Sequence, residues 1–402
     1  MGYRELAMDE SALDSLTLGG LTMDSVQARL PQMLVELEQL VCCESPSNDL
    51  AAVATSAALV AELGIRYLAQ PPETIVLAGR THLRWQLPGS GPRVLLIGHH
   101  DTVWPIGSLQ THPWRIEDGP DGRIVRGPGC FDMKAGLVQL FHAVDLLAER
   151  HSITVLITGD EELGSPSSRE LIQAEARTAS AALVLEPSGD GGALKTERKG
   201  ISLYQLAIRG LAAHAGLEPE RGINASVELA AQVLHIDGLG AQALGTTVTP
   251  TAMSAGTTSN TVPGAAQLMV DVRAVSQREL HRVDEAMRAL EPSLPGAEIE
   301  VTGGINRPPL ESSESADLFA LAAKLSVTLG IGPLSECAVG GGSDGNFTAG
   351  VGTATLDGLG AVGGGAHADH EHLLVDHLPA RTLLLAALID QLRRNPAGRA
   401  GG

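Results

Sequence analysis

Short apolar runs and amphipathic stretches alternate along most of the chain. Leu137, Leu140 and Val144 recur at helical spacing, and so do Leu384 and Leu388. Between such stretches lie apolar runs that are compact enough to be strands buried on both faces. They span residues 94–97, 153–157, 182–185 and 353–356. The alternation predicts an α/β domain in which a mainly parallel sheet carries helices on both faces.

The pattern changes between residues 198 and 307. Apolar and polar side chains alternate from Gln267 to Val272, which is typical of an antiparallel strand with one face in water. Helices are predicted over residues 224–235 and 279–290. This segment is therefore expected to form an inserted α+β domain with two layers, one of sheet and one of helices.

A chain of 402 residues, of which 44% are hydrophobic, is long for one core, because single cores stop growing at roughly 250–300 residues. We predict a catalytic domain built from residues 24–197 and 308–396, interrupted by a smaller domain over residues 198–307. Residues 1–23 are expected to be a loosely ordered extension, and the tail after Asn395 is expected to fray.

The chain is acidic, with 47 Asp and Glu residues against 28 Lys and Arg residues and a formal net charge of -19. This balance argues against nucleic acid and membrane surfaces as partners, since both attract Lys and Arg, and it favours a small-molecule substrate. The four cysteines do not have the spacing of a disulfide framework. No basic leader followed by an apolar core opens the chain, so a cytoplasmic location is expected.

Candidate chemistry follows the apolar runs. Histidines and acids come directly after them, where an open α/β sheet places its ligand crevice. The segments are Gly98-His99-His100-Asp101, Asp160-Glu161-Glu162, Glu186-Pro187 and Ala366-His367, with Gly129-Cys130-Phe131-Asp132 in a turn before a helix. Zinc binds imidazole nitrogen and carboxylate oxygen, and two ions about 3.5–4 Å apart need a bridging carboxylate. Two histidines and three acids are enough for such a pair.

This ordered set resembles zinc-dependent metallopeptidase family 20, which includes aminoacylases, acetylornithine deacetylases, peptidase T and bacterial glutamate carboxypeptidase. The likeness runs through nearly the whole chain from about Asp24, and the pattern is most similar to that of bacterial glutamate carboxypeptidase. It implies a phosphorylase/hydrolase-like zinc peptidase domain with an inserted lid and dimerisation domain. It also implies cleavage of an amide bond next to a free carboxylate, in an N-acyl amino acid or a short peptide.

The resemblance implies two zinc ions per subunit and assigns their ligands residue by residue. His99 and Glu186 would bind one ion, Glu162 and His367 would bind the other, and Asp132 would bridge both. Cobalt and manganese suit the same ligands, so the identity of the metal stays open.

Further roles follow from the same resemblance. Asp101 would orient His99, because a carboxylate beside a metal-bound imidazole fixes its tautomer. Glu161 would be the general base for a water held between the zinc ions and would return the proton to the leaving amine. The Asp132-Met133 peptide bond is expected to be cis. Cys130 is better explained as a buried small hydrophobe than as a thiolate ligand.

The inserted domain is expected to complete the site. His214 resembles the lid histidine that stabilises the tetrahedral oxyanion. In many family members that histidine serves the partner subunit, which predicts a homodimer formed through the lid. Asn260, Arg273, Arg307 and Gly342 are expected to contact the substrate, with Arg273 binding its carboxylate.

Two alternatives to a glutamate-carboxypeptidase-like enzyme remain open at this point. One is an aminoacylase-like deacylase of different side-chain specificity, since the lid residues that would form the specificity pocket carry no motif. The other is a non-catalytic metal-binding protein on the same fold, against which the presence of Glu161 argues. Each motif alone would indicate only a capped turn or a solvated loop, and it is their joint order that carries the prediction.

Overall fold

The computed structural model describes residues 20–120 and 122–394. In this part of the chain it has ten α-helices and eighteen strands, numbered in chain order. The helices are α1 (Met23–Gln27), α2 (Leu30–Cys42), α3 (Leu50–Leu68), α4 (Ala135–Asp145), α5 (Arg169–Thr178), α6 (Ala225–Asp237), α7 (Gln277–Arg288), α8 (Ser312–Thr328), α9 (Gly345–Ala349) and α10 (Leu378–Arg394). The strands are β1 (Glu73–Leu77), β2 (Arg80–Leu87), β3 (Val94–His99), β4 (Arg115–Gly119), β5 (Gly122–Arg126), β6 (Ile153–Thr158), β7 (Ala181–Val184), β8 (Leu194–Arg198), β9 (Gly200–Arg209), β10 (Ala213–His214), β11 (Thr247–Ala255), β12 (Thr261–Val262), β13 (Ala265–Ala274), β14 (Glu298–Arg307), β15 (Glu336–Val339), β16 (Thr355–Leu356), β17 (Gly363–Gly364) and β18 (His372–Leu374).

Six strands form the central sheet, in the order β1-β2-β6-β3-β7-β16. Strands β3, β6, β7 and β16 run parallel to one another, whereas β2 is antiparallel to β6 and β1 is antiparallel to β2. Every residue of β3, β6 and β7 is buried, which is why these strands are continuous apolar runs in the sequence. The predicted mainly parallel sheet is confirmed, with an antiparallel hairpin at one edge that the sequence pattern did not predict.

Helices cover both faces of the central sheet. Val94 and Leu96 of β3 lie in a hydrophobic core that also contains residues of α2, α3, α4 and α10. Leu95 and Ile97 of the same strand lie in a second core with residues of α5 and α9. This division follows from the geometry of a strand, in which successive side chains point to opposite faces.

Residues 200–307 contain a four-stranded antiparallel sheet, in the order β11-β13-β9-β14. Buried side chains of β9 and β13 alternate with more exposed ones, and together with residues of α6 and α7 they form a hydrophobic core of their own. Within the described residues this sheet shares no strand with the central sheet. We therefore propose the division into residues 198–307 and a catalytic domain of residues 24–197 and 308–396.

A small sheet in the order β17-β18-β5-β4 brings two distant loops together. Strand β5 leads into the turn before α4, β18 follows the loop that contains His367, and the two strands are paired. The turn requires glycine at Gly129, whose φ is 68°, and a Cβ atom there would lie 2.5 Å from a side-chain atom of Thr102. The pairing thus places the loop after β5 beside the loop before β18.

Both ends of the chain lie partly outside the described residues. Of the predicted extension, residues 1–23, the first 19 residues are not described. Thr22 caps α1 through a capping box. The tail after Asn395 is also outside the described residues.

Helix α3 is long and apolar enough to cross a membrane by length and composition alone. In this fold, however, its side chains Val60, Leu63 and Leu68 are buried in the main core.

Candidate metal centre

The five predicted metal ligands lie at one edge of the central sheet. His99 is the last residue of β3, Glu162 lies in a short 3-10 turn just after β6, and Glu186 follows β7 by two residues. Because these three strands are parallel neighbours, their carboxyl ends meet at the same edge. Asp132 comes from the turn between β5 and α4, and His367 from the loop between β17 and β18.

The side chains of these residues converge around Asp132. His99 Nε2 lies 3.3 Å from Asp132 Oδ1 and 3.4 Å from Glu186 Oε1. His367 Nε2 lies 3.4 Å from Asp132 Oδ2 and 3.1 Å from Glu162 Oε2. Each histidine thus has a glutamate of its own, and the two oxygens of Asp132 face different histidines. This is the arrangement that a bridging aspartate between two metal ions requires.

Several atoms at this place need a partner that the protein itself does not supply. Within the described part of the chain, His99 Nε2, Asp132 Oδ1 and Glu162 Oε1 are buried and have no hydrogen-bond partner. Leaving such atoms without a partner is costly. One nitrogen and several carboxylate oxygens form a donor set that zinc accepts. Ligand atoms of His99, Asp132 and Glu162 all lie within 4.8 Å of one another, so the residues fit a bound metal.

The electrostatics of these side chains also suit a cation. Burial lowers the pKa of His99, but the surrounding carboxylates outweigh burial and hold this pKa well above its ordinary value. Asp132 and Glu162 raise the pKa of His367 to about 11. Burial, against the influence of His367, raises the pKa of Glu162 to about 8. At neutral pH, protons therefore occupy positions that a metal ion would take.

Asp101 holds two parts of the site together. The imidazole Nδ1 of His99 lies 3.0 Å from the Asp101 backbone oxygen and 3.5 Å from its carboxylate. The carboxylate also accepts hydrogen bonds from Ser47 Oγ at 2.6 Å and from the amides of Glu161 and Glu162 at 3.2 and 3.3 Å. Asp101 therefore contacts the His99 ring and also fixes the turn that carries both glutamates; its predicted role in orienting a metal-bound His99 stays a prediction.

Glu161 is buried and paired with an arginine from the far end of the inserted domain. Arg307 Nη1 donates to Glu161 Oε1 at 2.8 Å, and Nη2 donates to the Glu161 backbone oxygen at 3.1 Å and to Ser165 Oγ at 3.2 Å. Burial raises the pKa of Glu161 and the guanidinium acts against this rise. The structure thus brings a predicted substrate-binding residue, Arg307, against the predicted base.

A cleft of about 460 Å³ opens over these groups. Its walls include the predicted substrate contacts Arg273, Arg307 and Gly342. Arg273 is held by its neighbour Asp271 through two hydrogen bonds, of 2.8 and 2.9 Å. A larger cleft of about 960 Å³, lined among others by residues 91–93 and 177–180, contains none of the predicted site residues.

His214 and Asn260 lie together on the inserted domain but apart from this cleft. Strands β10 and β12 pair His214 with Thr261, next to Asn260. The His214 side chain is exposed, and its Nδ1 accepts a hydrogen bond from the Gly216 amide at 3.1 Å. Neither residue lines the cleft that the described residues of this chain form. Their predicted roles at an active site therefore stay predictions.

Three charged residues at the site are not among the predicted site residues. Lys195 and Arg198 line the cleft, and Arg198 makes two hydrogen bonds to Asp357, of 2.7 and 3.3 Å. Glu371 is buried beneath the turn that carries Asp132 and accepts hydrogen bonds from its backbone. No local motif marks these residues, although Glu371 lies only four positions after His367.

Comparison with known proteins agrees with this geometry. Residues 95–391 match the family described as Peptidase family M20/M25/M40. The chain belongs to the M20 peptidase family. Carboxypeptidase G2 of Pseudomonas sp. (strain RS-16), which is similar to this chain, is 33% identical over 382 residues, covering 90% of this chain and 89% of that protein.

Two further proteins are similar to this chain, one in sequence and one in structure. A succinyl-diaminopimelate desuccinylase of Thioalkalivibrio sulfidiphilus (strain HL-EbGR7) is 27% identical over 335 residues, covering 77% of this chain and 86% of that protein. The M20 family metallo-carboxypeptidase Sso-CP2 from Sulfolobus solfataricus shares the fold, with a TM-score of 0.66 at 16% identity over 89% of this chain and 98% of that chain. Membership of the M20 family makes this protein a metal-dependent hydrolase with peptidase or amidohydrolase activity.

Proposed function

We propose that this protein is a di-zinc hydrolase that cleaves the amide bond of an N-acyl amino acid or short peptide next to a free carboxylate, with glutamate as the preferred residue. The observation that carries the proposal is one cleft that combines the two His–carboxylate pairs around Asp132 with a wall of cationic side chains. The first feature suits amide hydrolysis, and the second suits an anionic substrate.

The proposed ligands are His99 and Glu186 for one ion, His367 and Glu162 for the other, with Asp132 shared. When bound, such ions supply Lewis acidity toward the amide carbonyl and lower the pKa of water. The donor set and the buried atoms without partners at His99, Asp132 and Glu162 support this assignment. Cobalt and manganese remain possible occupants, because imidazole and carboxylate accept them too.

Glu161 is the proposed general base. It is buried in the cleft beside the proposed ligand Glu162, where burial raises its pKa toward the range in which a carboxylate can both accept and return a proton. Arg307 keeps its carboxylate in place at 2.8 Å. In this role Glu161 takes a proton from the attacking water and delivers it to the leaving amine nitrogen.

Cationic side chains of the cleft support an anionic substrate. Two of them already have an acid of their own, since Arg198 is paired with Asp357 and Arg273 with Asp271. Within the described residues, Lys195 has no ion-pair partner within 4.0 Å, and burial lowers its pKa. A carboxylate of the substrate would provide Lys195 with a counter-charge. We therefore expect Lys195 to contribute to a preference for substrates with two carboxylates.

A deacylase of different side-chain specificity is the second candidate. It is favoured by three apolar side chains in the same cleft, those of Leu163, Ile201 and Leu203. These side chains would suit an apolar amino acid or an apolar acyl group. Lys195 argues for the first candidate and the apolar side chains for the second.

We further propose a homodimer formed through the inserted domain, with His214 serving the site of the partner subunit. His214 is exposed and lies outside the cleft of its own chain. Strand β11 is an edge strand of its sheet and exposes Met253, whose accessible fraction is 65%. An exposed edge with apolar side chains is a typical place for a second chain to pair.

The test is hydrolysis of a matched panel with added zinc, in which N-benzoyl-glutamate, N-benzoyl-glutamine and N-benzoyl-leucine share the acyl group. We expect the highest kcat/KM for the glutamate compound. Lys195→Met should reduce this value by about tenfold or more and leave the leucine compound little affected, because only the former has a second carboxylate. A preference for leucine in the wild-type protein would favour the second candidate, and absence of all hydrolysis would contradict the proposal.

A further inference from the structure

The carboxylate of Glu371 is buried directly beneath the turn that carries Asp132. Its Oε1 accepts hydrogen bonds from the amides of Phe131 and Asp132, at 2.9 and 3.0 Å. Its Oε2 accepts from the amide of Gly129 at 2.9 Å and from the indole nitrogen of Trp104 at 2.7 Å. The residue is only 2% exposed. Four donors thus converge on two oxygens, and three of them belong to one turn.

Glu371 also ends the loop that presents His367. This loop contains two residues with left-handed backbone, Gly365 with φ of 75° and His367 with φ of 63°. The Ala368 amide donates to the Gly365 oxygen at 2.9 Å, and the Glu371 amide donates to the Ala368 oxygen at 2.8 Å. One residue therefore connects the backbone of the His367 loop with the backbone of the Asp132 turn.

The geometry of these contacts uses both carboxylate oxygens of Glu371 as acceptors. A donor group in place of either oxygen would displace one of the four donors and leave it buried without a partner. Glutamine has nearly the same shape, but its amide nitrogen would face donors at whichever oxygen position it took. Acceptor capacity, not volume, is therefore what this position needs.

We infer that Glu371 is a positioning residue for the metal centre, which holds Asp132 and His367 at the separation that metal binding requires. It touches neither the proposed substrate cleft nor a reacting atom, and it acts through the backbone of the ligands. The inference rests on the proposed role of Asp132 as a metal ligand. Partners of this kind typically change metal affinity by about 10- to 100-fold when they are removed.

A merely structural brace would behave differently, and the chain contains a matched control. Glu228 is likewise fully buried, and its carboxylate accepts hydrogen bonds from the amides of Ser293 and Leu294 at 3.0 and 2.7 Å. It lies in α6 of the inserted domain and does not line the cleft over the metal centre. Glu228→Gln should therefore lower stability as any lost buried carboxylate does, without an effect on metal binding.

The experiment measures zinc affinity of the full-length protein by competition with a chromophoric chelator, together with the visible spectrum of the cobalt-loaded protein and the melting temperature of the metal-free protein. We expect Glu371→Gln to weaken zinc binding by about 10- to 100-fold and to alter the cobalt spectrum. Glu371→Asp, which keeps the charge with a shorter reach, should show an intermediate loss. Glu228→Gln should bind zinc within about twofold of wild type at a comparable loss of melting temperature.

The outcomes separate this inference from the proposed site. Asp132→Asn serves as the reference for loss of a ligand. If Asp132→Asn lowers zinc affinity while Glu371→Gln and Glu371→Asp both bind zinc like the wild type, the inference about Glu371 is wrong and the site stands. If Asp132→Asn leaves zinc affinity unchanged, the proposed site itself is wrong. Should Glu371→Gln fail to fold, Glu371→Asp decides in the same way.

Discussion

Replacing Glu161 by glutamine separates two roles that the geometry allows for this residue. Ligand atoms of Glu161, His99 and Glu186 lie within 4.8 Å of one another, so Glu161 is close enough to bind a metal itself. Its carboxylate is also paired with Arg307 at 2.8 Å. We have assigned the role of base to Glu161 and the role of ligand to its neighbour Glu162. Removal of a base should lower the rate alone, whereas removal of a ligand should lower the metal content as well.

The expected size of the effect follows from what glutamine keeps and what it removes. Its side-chain oxygen can still accept the hydrogen bond from Arg307, which retains Asp344 as a second acid at 3.9 Å, so the fold should persist. It cannot accept a proton. Loss of a general base costs about 100- to 10,000-fold in rate, which corresponds to about 2.7–5.4 kcal/mol in activation free energy. The KM should not rise, because Arg307 loses a competing carboxylate.

Metal content and steady-state kinetics measured on one preparation decide the question. Glu161→Gln should keep two metal equivalents per subunit and lose most of its kcat. Glu162→Gln is the control, because it removes a proposed ligand and should lose metal as well as activity. Retention of kcat within about tenfold of wild type would remove Glu161 from the role of base. Loss of one metal equivalent from Glu161→Gln would instead identify it as a ligand.

Three other predictions follow from the same site. Zinc binding at pH 7 should release about two protons or more, measured by calorimetry in buffers of different ionisation enthalpy. The pKa values are about 11 for His367 and about 8 for Glu162, and the pKa of His99 is also held well above its ordinary value. Release of less than about one proton would contradict these values. The pKa values of His367 and Glu162 are both raised in the folded protein. The contribution of these two groups to the stability of the metal-free protein should therefore decline as pH rises from 6 to 9. A melting temperature that increases over this range would contradict this prediction. Mixing Glu161→Gln with His214→Ala should restore activity in about a quarter of all sites if the dimer exchanges randomly and His214 acts on the partner subunit; no recovery after verified exchange would show that it does not.

The sequence predicted those parts of the molecule whose cause is local. Strands β3, β6 and β7 are apolar runs because both of their faces are buried. The acids and histidines at the ends of these strands could be located because the carboxyl ends of parallel strands meet at one edge of the sheet. Helices α6 and α7 begin within two residues of the predicted positions. The Asp132-Met133 bond is cis, as the family resemblance implied.

The missed residues act over long separations and through the backbone. Glu371 accepts a hydrogen bond from the amide of Phe131, 240 positions away in the sequence. Arg198 donates a hydrogen bond to Asp357, 159 positions away. No sequence period or motif marks either contact. The first depends on the pairing of β18 with β5, and the second depends on the pairing of β16 with β7 in the central sheet. The placement of His214 could not be predicted either, since a residue on an inserted domain is positioned by domain geometry or by a second subunit.

The di-zinc assignment is tested most directly by anomalous diffraction at the zinc absorption edge from crystals of the zinc-loaded protein. We predict two peaks about 3.5–4 Å apart, which is the separation typical of paired metal sites. One should lie between His99 and Glu186 and the other between His367 and Glu162, with Asp132 contacting both. A single peak, two peaks without Asp132 between them, or peaks away from this cleft would contradict the assignment.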